Sequence, residues 1–245
     1  MKKVFRYLLI TLFTAVICLC GYKLLGISER YIQEANTKKQ LMVYRPDAAS
    51  PDDEAERTAV NQKILALQNE VNNCILGWLT IPETGIDYPF VLPADNSYYL
   101  KRDLYGNYAE AGSLFMDYRC NEDFIDFNTI IYGHNMKNSS MFGDLRLFAD
   151  EGFFDANRYG TIFLKDRTLS LKFFAYMVVR STDRIIYEPS GDRSEFFGYV
   201  KANARNYREP DMNRRIVTLS TCSYEFNDAR IVLIAVISNR KGGAL

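Results

Sequence analysis

The residues of this sequence that could act chemically together are a cysteine, Cys222, an arginine, Arg230, and the single histidine, His134. Cys222 directly follows the apolar run at residues 216–221, and Arg230 begins the next run after the seven-residue connection 223–229. If these runs pair as neighbouring antiparallel strands, the cysteine and the arginine oppose each other with Cβ atoms about 5 Å apart. A permanent positive charge beside a thiol raises the thiolate fraction and stabilises the oxyanion that forms when sulfur attacks a carbonyl. The spacing therefore favours nucleophilic acyl chemistry at Cys222.

His134 would supply the proton that such a reaction needs. It follows the strand-like run at residues 129–132 and precedes the polar Asn135, at a strand end where catalytic groups are often displayed. An imidazole has an ordinary pKa near 6.5 and can protonate a leaving amine. Each of the three residues alone is more often structural, because single cysteines are commonly buried and single charged residues are commonly exposed. The prediction of a catalytic site therefore depends on their convergence.

The overall composition disfavours nucleic-acid binding and metal coordination. The 30 basic and 30 acidic residues give a formal net charge of zero, which leaves no basic surplus for a phosphate backbone. The five cysteines form neither a CxxC pair nor a cluster with histidine, so we expect no structural zinc site. We predict that Cys74 and Cys120 are both reduced and buried.

The N-terminal residues are typical of a membrane anchor. Lys2, Lys3 and Arg6 precede an uncharged stretch at residues 7–22, which would span about 24 Å as a helix and about 31 Å if the apolar pattern continues five residues further. The basic flank places the N-terminus in the cytoplasm. A cleaved signal peptide, or a lipoprotein signal around Cys20, is the alternative, and either would also leave the remaining chain outside the cytoplasm.

Changes in residue pattern divide the chain into three segments. We predict a cytoplasmic stub and transmembrane anchor at residues 1–27, an extracellular polar tether at residues 28–54, and a single domain at residues 55–245. Within the domain, apolar residues first recur at spacings of three and four, which predicts a helix from about residue 55 to residue 74. Its start could be capped by Ser50 or Asp52.

The rest of the domain is mostly β-like. Two stretches with helical spacing, residues 140–148 and 193–206, interrupt a series of short apolar or alternating runs. Eight strands at this spacing predict a mostly β fold, as a closed barrel or a sandwich. The predicted strands are residues 78–81, 87–92, 113–117, 129–132, 161–164, 169–179, 216–221 and 231–238.

The segments around the three candidate residues resemble those of the sortase family. Residues 218–222 read TLSTC and are followed by Arg230, which is similar to the TLxTC signature of sortases with an arginine on the next strand. Residues 130–135 read IIYGHN and resemble the histidine motif of the family. Four further segments resemble class B sortases: residues 77–82, 86–89, 96–100 and 112–117.

This resemblance implies both a fold and an activity. The fold would be a closed eight-stranded β-barrel with an N-terminal helix and a helical insertion between the strands that the family calls six and seven. The enzyme would lie on the outer face of a Gram-positive membrane, as a single-pass protein without a cofactor or metal. Cys222 would attack the Thr–Gly-type bond of a C-terminal sorting signal to give a thioester, which an amine, usually from a peptidoglycan precursor, would resolve. The expected class B signal is of the Asn-Pro-x-Thr type.

The resemblance also implies which residues contact the sorting signal. Some relatives carry an acid two residues after the cysteine, but Tyr224 stands there, so a carboxylate triad through that position is not implied. The implied contacts are Tyr132, Ser220 and Thr221 beside the nucleophile, Asn96 and Leu100, and, less directly, Thr182, Ile186 and Tyr187 before the helical insertion.

Three other functions are compatible with parts of this pattern. A class B enzyme could polymerise pilin, with lysine as the acceptor. An L,D-transpeptidase would also be extracytoplasmic and use a cysteine, but its signature places His and Gly directly before the cysteine, where Ser220 and Thr221 stand here. A catalytically inactive, membrane-tethered binding module is the non-enzymatic alternative.

Overall fold

The computed structural model of the protein describes residues 2–47, 60–223 and 225–238. The chain divides into two compact units, Met1–Val43 and Tyr44–Leu245. The candidate catalytic residues all belong to the second unit, which is therefore the one that positions the site.

The first unit consists of one long helix, α1, over Lys2–Leu41. Its segment Val4–Lys23 is long and apolar enough to cross a membrane, which makes it a candidate anchor. The helix does not end at residue 27, and residues 28–41 of the predicted tether are helical. The physical reason is composition, because this stretch contains two each of Glu, Lys and Gln, which favour helices, and holds no glycine or proline. The role of the stretch as a tether stays a prediction.

The second unit is built on a closed barrel of eight strands, as predicted from the resemblance. The strands follow each other around the barrel in the order β5-β1-β2-β3-β4-β8-β9-β6, and pairing of β5 with β6 closes it, while the short β7 adds to β6. The strands are β1 Ile75–Thr80, β2 Asp87–Val91, β3 Leu114–Met116, β4 Asn128–Tyr132, β5 Tyr159–Leu164, β6 Thr168–Arg180, β7 Asn206–Tyr207, β8 Ile216–Cys222 and β9 Ala229–Ser238. All eight predicted strands are present, and β7 was missed because two residues carry no periodicity.

Within the described residues, helices flank the barrel at three places. The helix α2 spans Gln62–Glu70, inside the predicted range of about 55–74, and it begins after Asn61, whose side chain accepts hydrogen bonds from the backbone N–H groups of Lys63 and Ile64. Residues 55–59 of the predicted helix lie outside the described residues. The proposed caps Ser50 and Asp52 lie outside the described residues. The remaining helices are α3 Glu151–Ala156 and α4 Arg193–Asn203, and 3₁₀ turns cover Met42–Tyr44, Tyr98–Lys101 and Gly143–Ala149.

Two of these elements differ from the expected ones. The predicted helix at residues 140–148 is a 3₁₀ turn, and α3, which was not predicted, follows it. Helix α4 lies between β6 and β8, where a helical insertion was expected, but it ends at Asn203 rather than at residue 206. Residues 204–206 leave the helix because the chain there turns to pair with β6 as β7.

Strand alternation decides which side of the barrel each residue of β8 faces. Val217 and Leu219 pack in the interior, whereas Ile216 packs in a second core on the outer face, together with aromatic residues of α4. Successive side chains of a strand point to opposite faces. Ser220 and Cys222 therefore lie on the outer face of the barrel wall.

Of the two cysteines that were predicted to be reduced and buried, one is exposed. All five cysteines are free thiols, and Cys120 is buried as expected, but Cys74 is exposed. Cys74 lies in the turn between α2 and β1 rather than on the inner face of a longer helix, so it has no core to enter. Burial raises the pKa of Cys120 to about 12, which makes that thiol a poor nucleophile.

Candidate active site

Cys222 and Arg230 face each other at the mouth of the β8–β9 hairpin. They are direct partners in the antiparallel register, so their side chains share the outer face. The guanidinium of Arg230 donates from Nη1 to the carbonyl of Ala229 at 3.0 Å. Within the described part of the chain, no carboxylate forms an ion pair with Arg230. Its charge is therefore available to an oxygen bound next to the sulfur.

The segment that carries His134 is joined to the same strand. Strand β4 runs parallel to β8 with Tyr132 opposite Ser220, so both chains leave the sheet at the same edge. Beyond the last pair, Asn135 donates its side-chain amide to the carbonyl of Cys222 at 2.8 Å. The structure thus brings the three predicted catalytic residues together at one edge of the barrel.

The imidazole of His134 is held by a backbone carbonyl. Its Nε2 lies 2.6 Å from the carbonyl oxygen of Leu100. A carbonyl can only accept, so Nε2 must carry a proton. In the neutral ring the other nitrogen, Nδ1, then has a free lone pair and is an acceptor.

An aromatic pair forms one wall beside the cysteine. The hydroxyl of Tyr187 and Oγ of Ser220 are hydrogen-bonded at 2.8 Å, and the ring of Tyr187 stacks on Tyr132 with centroids 6.2 Å apart. Burial raises the pKa of Tyr187 to about 12, an effect that the nearby Arg230 charge opposes and a Cys222 thiolate reinforces. Tyr187 therefore lies within electrostatic reach of both predicted catalytic groups.

A buried ion pair supports this wall from behind. Asp117 is fully buried and accepts hydrogen bonds from Nε and Nη2 of Arg119, at 2.9 and 2.8 Å, and from the hydroxyl of Tyr132 at 3.0 Å. Burial alone would raise the pKa of Asp117, but these hydrogen bonds outweigh it and the net pKa is lowered. Arg119 also donates to the carbonyl of Tyr187 at 2.8 Å, which ties the loop before α4 to the barrel.

Comparisons with known proteins identify the family of this chain. A family model of the sortase domain matches residues 79–238. A sortase B of Listeria monocytogenes is 36% identical over 201 residues, which cover 78% of this chain and 79% of the relative. The chain belongs to the class B sortases. Sortases of this class are cysteine transpeptidases, and this sortase is an enzyme of that kind.

Solved class B structures share the fold of this sortase. A Staphylococcus aureus sortase B–substrate complex has a TM-score of 0.73 and 25% identity, covering 86% of this chain and 98% of that one. A class B sortase of Streptococcus pyogenes, described as involved in pilus biogenesis, has a TM-score of 0.66 and 32% identity, covering 70% of this chain and 96% of that one. The whole catalytic unit is therefore class B in architecture.

Two of the residues expected to touch substrate have side chains that face elsewhere. Thr221 is 2% exposed and pairs with Ile231, a residue of the barrel interior, so its side chain lies on the opposite face from Cys222. Ile186 is fully buried in the outer core, where an apolar side chain is most stable. In this structure neither side chain can contact a peptide bound beside Cys222.

The other expected contacts are accessible to different degrees. Tyr132 and Tyr187 are half-buried in the wall, and Ser220 is buried beneath it. Leu100 is exposed beside the imidazole, whereas Thr182 is exposed at the start of the loop that leads to Tyr187. Asn96 is half-buried and accepts a hydrogen bond from the backbone of Tyr118 at 3.1 Å.

Sequence reasoning missed the residues that support the site from outside it. Asp117 is the last residue of a segment with class B character and Arg119 follows it, but their pairing with Tyr132 and Tyr187 requires the tertiary fold. Asn135 was noted only as a polar neighbour of the histidine. The signal that could have identified it is its place in the histidine motif at residues 130–135, three residues after the end of β4.

Gly112 is a position where a side chain would disturb the histidine. Its φ is +58°, and an added Cβ would overlap the carbonyl oxygens of Tyr99 and Leu100, the second of which holds His134. We expect Gly112→Ala to lower the free energy of unfolding by about 1–3 kcal/mol, because the left-handed backbone and the overlap both disfavour a side chain. Urea denaturation of the purified protein measures this loss.

A matched glycine provides the control for that substitution. Gly198 lies in α4, is exposed, and an added Cβ there would meet no atom within 4 Å. Gly198→Ala should raise stability by roughly 0.5–1 kcal/mol, because alanine loses less backbone entropy in a helix. Equal stabilities of the two variants would contradict the proposed close packing at Gly112.

The buried Asp117 should make stability sensitive to acid. Because its folded pKa is lowered below the ordinary value of about 3.9, its ionised form stabilises the folded state at higher pH, and this contribution disappears as pH falls through the folded pKa. We expect Asp117→Asn to be less stable than the native protein at pH 7 and to lose less stability between about pH 5 and pH 3. Urea midpoints at these pH values test this, with the exposed Glu122→Gln as the control. An unchanged acid dependence in Asp117→Asn would show that other groups cause it.

Proposed function

We propose that this sortase cleaves a C-terminal sorting signal after threonine and transfers the protein to a cell-wall amine. The observation that carries the proposal is the opposition of Cys222 and Arg230 at one sheet edge, with the His134 segment joined to the carbonyl of Cys222. This arrangement supplies a nucleophile, a charge for the oxyanion and a proton carrier at one place. We expect the reaction to need no metal or cofactor.

The first half-reaction forms the thioester. The Cys222 thiolate attacks the threonine carbonyl, and the guanidinium of Arg230 stabilises the oxyanion. The carbon–nitrogen bond then breaks, and Nδ1–H of the His134 imidazolium protonates the leaving amine. The products of this half are an acyl-enzyme, a neutral imidazole and the released C-terminal peptide.

The second half-reaction returns the enzyme to its starting state. An acceptor amine attacks the thioester carbonyl, and Nδ1 of His134 takes the proton that the amine loses. The carbon–sulfur bond breaks and Cys222 leaves as the thiolate, so a new amide replaces the old one. The guanidinium of Arg230 stabilises the oxyanion of both tetrahedral states.

The peptide would lie across the outer face between the aromatic wall and the exposed Leu100. Tyr132 and Tyr187 offer flat apolar surface on one side, and Asn96 offers an amide on the other. The similarity to a Staphylococcus aureus sortase B described with its substrate supports peptide binding at this place. We expect a signal of the Asn-Pro-x-Thr type.

The enzyme would act outside the cytoplasmic membrane of a Gram-positive cell. The apolar segment Val4–Lys23 would span the membrane once, with Lys2, Lys3 and Arg6 on the cytoplasmic side. The catalytic unit would then face the cell wall, where peptidoglycan precursors supply amines.

Pilus polymerisation is the second candidate function. The Streptococcus pyogenes class B sortase described as involved in pilus biogenesis is 32% identical to this chain. In that case the acceptor would be a lysine side chain of a pilin subunit, while the first half-reaction would be unchanged.

Intact-protein mass spectrometry of the acyl-enzyme tests the proposal. The full chain in detergent micelles is incubated with a library of Asn-Pro-x-Thr peptides and quenched in acid. We expect a mass increase equal to the acyl fragment ending in threonine, located on Cys222 by peptide mapping. Adding a peptidoglycan-type amine or a pilin-type lysine peptide should release the adduct, and the faster release identifies the acceptor class. The absence of any adduct on Cys222 across the library would refute the proposal.

A further inference from the structure

The loop after β4 is joined to the nucleophile strand by one side chain. Asn135 donates its amide to the carbonyl of Cys222 at 2.8 Å, across a sequence separation of 87 residues. The other contact between this loop and β8 is a backbone hydrogen bond of 3.1 Å, in which the N–H of Gly133 donates to the carbonyl of Ser220. Within the described residues, Asn135 thus provides the side-chain link that reaches the catalytic cysteine from the histidine segment.

This link lies beyond the end of the β4–β8 ladder. The β4–β8 ladder stops at the pair Tyr132 and Ser220, so His134 and Cys222 both lie beyond the last strand pair. Regular pairing therefore does not set their separation. A hydrogen bond from the residue next to the histidine to the cysteine itself can set it.

The rest of the loop is closed on itself. The backbone of His134 accepts a hydrogen bond from Phe142 at 2.9 Å, and Asn135 forms a bridge with Met141. These contacts make the loop a unit but do not connect it to β8. Because the loop is held together internally, a hydrogen bond that fixes Asn135 also fixes the position of the His134 imidazole.

We propose that Asn135 is a positioning residue that sets the imidazole of His134 against the sulfur of Cys222. The inference rests on the proposed function, because it assumes that these two groups exchange a proton with the reacting amine. Proton transfer depends steeply on geometry, and a displacement of about 1 Å can lower a rate by about 100-fold. Asn135 touches neither substrate nor the reacting atoms, so its removal should change kcat rather than KM.

The test compares the native full chain in detergent micelles with two variants of Asn135 and one control variant. Asn135→Ala removes the donor, and Asn135→Asp keeps the shape but replaces the donor by an acceptor facing the Cys222 carbonyl. We expect kcat for peptide cleavage to fall about 10–100-fold in both, with KM within about twofold of the native value. Asn135→Ser, which is smaller but polar, takes the place of Asn135→Ala should that variant be unfolded at the assay temperature.

Asn206→Ala is the matched control. Asn206 donates its side-chain amide to the carbonyl of Phe148 at 2.8 Å and links two elements 58 residues apart, on the far side of β6 from the site. It should lower the thermal unfolding midpoint about as much as Asn135→Ala while leaving kcat unchanged. The kinetic constants are expressed per folded molecule, determined by circular dichroism at the assay temperature.

Three outcomes decide the inference. A fall of kcat with constant KM in the Asn135 variants alone supports it. A kcat within twofold of the native value in Asn135→Asp, or an equal fall in Asn206→Ala, overturns it. Failure of the native protein to form an acyl-enzyme on Cys222 overturns the proposed function instead, which the same peptides reveal before any variant is made.

Discussion

The Cys222→Ala variant is expected to lose cleavage of sorting peptides completely, with a rate at least about 10⁴-fold below that of the native enzyme. Among the cysteines of the catalytic unit, Cys222 alone is half-exposed beside a guanidinium. Cys120 is buried and its pKa is raised to about 12, so it cannot replace the missing thiolate. Release of a fluorescent fragment from a quenched peptide measures the rate.

Cys74→Ala is the control for this substitution. The Cys74 side chain is exposed in the turn before β1, and removing it should leave both the rate and the stability unchanged. Both variants should unfold at the same urea concentration as the native protein, because neither thiol contributes to the core. Retained cleavage in Cys222→Ala would mean that another group is the nucleophile.

Arg230→Met is expected to lower kcat by about 10²–10³-fold, the cost of removing one oxyanion donor. In many acyl-transfer enzymes the backbone N–H groups near the nucleophile stabilise the oxyanion. Here the N–H of Ser223, directly after the cysteine, already donates to the carbonyl of Ala229 at 2.9 Å. We therefore expect the guanidinium to provide most of the electrostatic stabilisation of the oxyanion. Arg230→Lys should fall between the native enzyme and Arg230→Met, because it keeps the charge but not the forked geometry.

Substitution of the neighbouring Arg180 distinguishes a direct effect of Arg230 on the oxyanion from the general effect of positive charge near the site. Arg180 ends β6 and is the register partner of Ala229, one position from Arg230, and it lies over the ring of Phe226 at 5.5 Å. Arg180→Met removes the same charge nearby without removing a group that faces Cys222. We expect its single-turnover acylation rate to stay within about threefold of the native rate, because exposed charges are strongly screened. Equal losses in the two methionine variants would contradict an oxyanion role for Arg230.

The sequence predicts the strands and the cysteine–arginine pair well, for a local reason. Apolar alternation defines each strand, and a hairpin with a known connection fixes which residues oppose each other. The opposition of Cys222 and Arg230 could therefore be derived before the structure was known. The closure of eight strands into a barrel rather than a sandwich came from family resemblance, since alternation does not distinguish the two.

The sequence predicts side-chain orientation poorly where it depends on tertiary contacts or on the alternation of side chains along a strand. Thr221 was expected beside the nucleophile from the family resemblance, yet its side chain lies on the opposite face of β8 from Cys222 because successive residues of a strand alternate. The burial of Ile186 depends on how the loop before α4 folds over the outer core. The hydrogen bonds from Tyr132 to Asp117 and from Arg119 to Tyr187 join segments whose distances in space the sequence pattern does not encode.

The parallel neighbourhood of β4 and β8 also has a consequence for folding. Asn135 and Cys222 are 87 residues apart, and the strands between them include β5 and β6, which close the barrel. Bringing such distant segments together costs loop-closure entropy that only the completed set of contacts offsets. A chain that has formed its hairpins but not joined β4 to β8 would contain every catalytic residue and still be inert. Recovery of peptide cleavage during refolding should therefore lag behind the return of secondary structure and report the moment at which the barrel closes.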